Sequence, residues 1–173
     1  MANTFQDAKL DALAGYFSTD PTANLEAMQE IFEQNRHHVY SLSFWMMDNE
    51  LSAEELMAAT FRQAFSANEA PSADAIDAAL ISELREEIPV GPLTLDCAVC
   101  SDVKNVRENT LRVHLERAVV QLPATERLIF LLHDVEGYNH GRIAKLIGLS
   151  EGESRNGLHQ ARLRMRELLA AMN

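Results

Sequence analysis

Cysteine is nearly absent: Cys97 and Cys100 are the only two in 173 residues. Two thiols this close in sequence cannot build a disulfide framework, so a packed core has to hold the fold. Long apolar runs are missing as well. None approaches the ~20 residues a membrane-crossing helix needs, which excludes a transmembrane span. The first ten residues carry Asp7 and Lys9 and no apolar stretch, so no secretory signal is expected and the cytoplasm is the expected compartment. There is no glycine-rich phosphate loop, no nucleophile elbow and no metalloprotease signature, so neither an enzyme nor a cofactor is expected. Cys97-x-x-Cys100 lacks a second ligand pair, and His37-His38 reads as a capping or partly buried pair, so no metal site is expected.

Basic residues are also scarce, with 15 Lys+Arg against 26 Asp+Glu and a net charge of -11. The deficit is not evenly spread. Residues 1–90 hold 16 acids and 4 bases, whereas residues 91–173 hold 10 acids and 11 bases. The acidic half repels phosphate and suits a basic protein surface, so any nucleic-acid contact falls to the C-terminal half. What remains is 47% hydrophobic and 24% charged, the balance of a folded chain with room for one mid-sized core or two small ones.

Apolar residues recur at intervals of three and four, and no period-two alternation is sustained, so the fold class is all-α. Helices are expected over residues 5–17, over 25–47 after an Asp20-Pro21 start, and from Ser52, with Glu55 completing a capping box. Another is expected over 74–88. Pro89, Gly91 and Pro92 then break the pattern, and little periodicity follows to Asn109. The expected division is two small helical domains, 1–88 and 110–173, joined by a linker over 89–109. In the second domain Pro123 starts a helix that runs through Val135 to near Gly137. Asn139 caps a short helix over 140–147, Gly148-Leu149-Ser150 makes a tight turn, and a long helix follows. Its inward stripe is Leu158, Ala161, Met165, Leu168 and Met172. A short helix, a turn with Gly and a buried Leu, and a longer helix make a helix-turn-helix, which offers the exposed face of its second helix to the major groove. That face carries Arg155, Asn156, His159, Gln160 and Arg162. Arg and Asn side chains can pair bidentately with guanine and adenine edges.

The run Leu122-Pro123-Ala124-Thr125-Glu126-Arg127-Leu128, then Glu136-Gly137-Tyr138, then Ile143-Ala144-Lys145-Leu146-Ile147-Gly148-Leu149-Ser150 resembles the C-terminal domain of bacterial RNA polymerase sigma factors, specifically the extracytoplasmic-function (ECF) subfamily. Leu158-His159-Gln160-Ala161-Arg162 is similar to that family's habitual Leu-His-Arg-Ala-Arg. Val39-Tyr40-Ser41-Leu42-Ser43, Ala53-Glu54-Glu55-Leu56, Phe61 and Phe65 resemble its N-terminal domain. The resemblance implies transcription initiation: core RNA polymerase and promoter DNA as partners, with an anti-sigma factor as a further one. It places polymerase contacts at Glu54, Glu55, Leu56 and Phe61, and promoter contacts on the helix-turn-helix.

The sequence also departs from that family. Its promoter-melting segment is basic and aromatic, whereas residues 74–87 here carry Asp74, Asp77, Glu83, Glu86 and Glu87 against Arg85 alone, with no aromatic. Single-stranded DNA needs positive charge and stacking rings, and this stretch supplies almost neither. Ser154 stands in an inward slot usually held by Val, and Gly157 replaces a family Arg. The alternative expectation is therefore a protein-interaction module, a sigma-like decoy that occupies an anti-sigma factor with little or no promoter binding.

Overall fold

The computed structural model describes residues 21–67, 70–91 and 112–172, with side chains described from Leu25 onward. Among these residues seven α-helices follow one another: α1 (Pro21–Met47), α2 (Glu50–Ala67), α3 (Ala73–Glu87), α4 (Arg112–Val120), α5 (Ala124–Phe130), α6 (His140–Ile147) and α7 (Glu151–Met172). Between α5 and α6 lies a π-helical turn, Leu131–Val135. No strand occurs among the described residues, so the all-α expectation holds. The helix expected over 5–17, and Cys97 and Cys100 with most of the proposed linker, lie outside the described residues.

Local signals set the helix ends. Asp48 takes a left-handed φ of 53° and closes α1, its amide bonding back to the Phe44 carbonyl at 2.8 Å. Asn49 then caps α2, its Oδ1 accepting from the Ser52 amide at 3.0 Å. The expected Ser52–Glu55 box is thus replaced by an earlier cap, because Asn49 already satisfies the first free amide. Ser72 caps α3 through its Oγ. The expected single helix from Pro123 to Val135 becomes α5 followed by the π turn, in which the Glu136 amide reaches the Leu131 carbonyl at 3.0 Å.

α1, α2 and α3 pack around Leu42, Met46, Leu56, Phe61, Ile76, Leu80 and Leu84, with the Phe32 and Phe61 rings edge to face at 4.8 Å. α4 to α7 close around Leu128, Ile129, Leu132, Ile143, Leu158 and Met165. The two sets of buried residues form one continuous cluster. Arg127 fastens them: its guanidinium donates to the Met46 carbonyl at 3.0 Å, to the Leu122 carbonyl at 3.0 Å, and to the Val120 carbonyl. A cation placed among carbonyls at the C-terminal ends of α1 and α4 satisfies acceptors that the helices leave free, and complements both dipoles.

Candidate nucleic-acid interface

The helix-turn-helix forms as its local sequence requires. Asn139 caps α6, its Oδ1 accepting from the Arg142 amide at 2.8 Å. Gly148 ends α6 in the left-handed region at φ 76°, where a Cβ would be strained. Leu149 packs against the core. Ser150 and Glu153 make a reciprocal capping box: the Glu153 amide donates to Ser150 Oγ at 3.2 Å, and the Ser150 amide donates to Glu153 Oε2 at 2.7 Å. That backbone hydrogen bond, with one from the Ser150 hydroxyl, lowers the Glu153 pKa. The Glu153 carboxylate is therefore turned back onto its own helix start.

α7 buries Ser154, Gly157, Leu158, Ala161, Met165 and Leu169. The inward stripe thus takes in Ser154, as expected, together with Gly157, and it ends on Leu169, while Leu168 and Met172 are only partly covered. Gly157 lies on the inward side, so the missing family Arg does not open a gap on the exposed face. Ser154 is fully buried, and its hydroxyl is matched by His140 Nδ1 at 3.0 Å. Burial, with the nearby charges of His133 and Arg155, lowers the His140 pKa.

Arg155, Asn156, His159 and Arg162 are exposed on α7. Gln160 is half buried with its Oε1 shielded, which puts it at the edge of that face. Arg155 pairs with Glu151 at 3.0 Å along the same helix. Arg162 donates from Nε and Nη2 to Asp134 at 3.0 and 2.6 Å. The outward face of α7 stays open while its inner side packs on α4, α5 and α6.

On α2, Glu54 and Glu55 are exposed, whereas Leu56 and Phe61 are buried. Leu56 and Phe61, expected at a surface, instead face inward and anchor α2 in the core, while Glu54 and Glu55 stay exposed. Glu55 lines a cleft of about 350 Å³ with Ser52, Arg62, Glu83 and Glu87.

Sequence reasoning did not find the polar hub where the two halves meet. Asp77 of α3 is buried and accepts from His38 Nε2 at 2.9 Å, Tyr138 Oη at 2.8 Å and Arg142 Nη2 at 2.9 Å. His38 Nδ1 lies 2.9 Å from Glu136 Oε2, so both ring nitrogens meet carboxylates. Arg142 also reaches Asp74 at 2.8 Å and stacks on the Tyr138 ring, 3.8 Å from its centre. Burial alone would lower the His38 pKa, but hydrogen bonds and charge from Asp77 and Glu136 outweigh it and raise it. Burial would likewise raise Asp77, but the bonds from His38 and Tyr138 and the charges of His38 and Arg142 lower it. Burial and the Asp77 hydrogen bond push the Tyr138 hydroxyl upward, so it stays a donor. The partners lie 39 to 100 residues apart, and no local pattern announces such contacts.

Residues 112–165 match the family model "Sigma-70, region 4". Two relatives, the ECF RNA polymerase sigma factor SigM of Mycobacterium tuberculosis strains Erdman and H37Rv, are 30% identical over 80 residues. That match covers 44% of this chain and 41% of SigM, so the chain spans less than half the length of these curated relatives. Among solved structures, the sigma factor RpoE in complex with the anti-sigma factor NepR from Bartonella quintana is similar in fold. It has a TM-score of 0.60 at 17% identity, over 82% of this chain and 96% of that one. The region 4 match falls on the helices that build the exposed face of α7, as the sequence resemblance implies. Residues 112–165 are thus similar to sigma-70 region 4, and 80 residues of the chain are similar to an ECF sigma factor.

Proposed function

We propose that this chain is a cytoplasmic, non-enzymatic transcription-initiation protein that binds core RNA polymerase and promoter DNA. The helix-turn-helix of residues 110–173 contacts duplex DNA through Arg155, Asn156 and His159, with Gln160 and Arg162 at the margin. The domain of residues 1–88 offers Glu54 and Glu55 to a basic polymerase surface, with Leu56 and Phe61 setting the position of α2. One observation carries this reading: the open polar face of α7, held out by the Gly148 turn within a matched region 4. No described helix is long and apolar enough to cross a membrane, which accords with a protein that works on DNA. Run-off transcription tests it. Purified chain with core polymerase is expected to yield transcripts from a promoter fragment upstream of its own gene, and the absence of transcript refutes the working-factor reading.

α3 favours a second reading. It stands where the family melts DNA, yet it carries five acids, and Asp77 and Arg85 are spent on α6, Arg85 donating to the Ile147 carbonyl. A helix so engaged suits a module that binds an anti-sigma factor, the kind of partner that accompanies the Bartonella neighbour. No transcript together with tight anti-sigma binding would select this reading.

A further inference from the structure

Two ion pairs on the exposed face of α7 differ in kind. Arg155–Glu151 runs along one helix with both side chains more than half exposed, and such pairs contribute little. Arg162 is instead gripped from another element, both of its bonds ending on one carboxylate of the π turn. Asp134 is held from behind: His133 Nδ1 lies 2.8 Å from its Oδ1, and the His133 ring stacks on His140 at 4.7 Å. The Asp134 side chain is 23% exposed and that of Arg162 50%, so the acid is shielded while the base faces outward. Although burial opposes it, the hydrogen bonds from Arg162 and His133 keep Asp134 ionised.

Position decides what this grip does. Arg162 lies seven residues beyond Arg155, two turns and about 10 Å further along the axis. When the N-terminal part of such a helix meets base edges, a side chain this far along comes to the sugar-phosphate backbone. A phosphate contact adds affinity to every sequence alike and carries no sequence information. We propose that Asp134 is a specificity-determining residue, which masks Arg162 and so suppresses sequence-independent attraction of α7 to duplex DNA. Discrimination is then left to Arg155, Asn156 and His159. The inference rests on α7 being the DNA-contacting helix.

The test uses the full chain and a random-sequence 30-bp duplex, with affinity followed by fluorescence anisotropy across a salt series. Asp134→Asn keeps the shape and removes the charge. Affinity is expected to rise about three- to tenfold at low salt, and the slope of log K against log salt to steepen by about 0.9, one more phosphate neutralised. Arg162→Ala introduced into the Asp134→Asn background should abolish the gain. Asp134→Glu, which keeps the charge, should behave as wild type and shows that the effect is not one of folding. Equal affinity and slope for wild type and Asp134→Asn overturn the proposal, as does a loss of affinity, which would make Asp134 a support for Arg162. In either case the DNA-binding reading survives if Arg155→Ala still weakens binding. If neither wild type nor Asp134→Asn binds the duplex, that reading falls and the proposal with it.

Discussion

Arg155 extends from the second turn of α7, its guanidinium held by Glu151 one turn earlier. Under the proposed function, base edges displace this exposed pair at small cost, and the planar fork can pair with guanine. Replacing Arg155 with Ala should therefore lower promoter affinity by about 1–3 kcal/mol and relax the preference at one base position. A binding titration against single-base variants of the site checks both effects, and uniform weakening across all variants would demote Arg155 to a backbone contact. Ser154 beside it shows how a single residue can defeat a pattern. A hydroxyl in an inward slot looks like a flaw in the sequence, yet His140 supplies its partner, and the two residues together pin α6 to α7.

At the scale of elements, the helix-turn-helix was legible because each boundary carries its own chemistry. Asn139 and Ser150 cap, Gly148 turns left-handed, and Leu149 plugs the core; none of these needs a distant partner. Gly148→Ala tests the turn. An added Cβ would meet only the Arg85 guanidinium, at an ordinary 3.8 Å, so the penalty is that of the backbone alone, about 1–2 kcal/mol. Urea unfolding should show that loss, and an unchanged midpoint would mean that the turn relaxes freely. Ser150→Ala should cost about 0.5–2 kcal/mol by opening the capping box, read in the same way. The π turn was not legible, since it depends on how Leu131 and Leu132 seat in the core rather than on any local signal. The start of α2 was misplaced because two caps compete within four residues, and the first to satisfy an amide wins. Leu56 and Phe61 shared their stretch with a surface motif, and only packing could tell which residues of it turn inward.

At the scale of the whole molecule, the charge asymmetry acquires a physical role. The acidic α3 meets Arg142 of α6, and a hub of buried Asp77 with half-buried His38, Glu136 and Tyr138 joins the two halves beside their shared core. Such a hub cannot lose Asp77 quietly, because His38, Tyr138 and Arg142 then stay partly withdrawn from water without their shared acceptor. Asp77→Ala should therefore destabilise the chain by about 3–5 kcal/mol, whereas Asp77→Asn, which keeps an acceptor, should cost less. The pH dependence follows from the two shifts. The folded pKa of His38 is raised, so its contribution is complete below its unfolded value of about 6.5 and is lost as pH climbs through the higher folded value. That of Asp77 is lowered, so its contribution is present above about 3.9 and is lost as pH falls through the lower folded value. Stability should thus decline on the alkaline side from just above pH 6.5, a limb that His38→Gln should flatten; the acid limb should shrink as well, because His38 supplies part of what lowers Asp77. Urea midpoints at pH 5, 6, 7.5 and 9 for wild type and His38→Gln measure this, and parallel alkaline limbs would remove His38 from the junction between the halves.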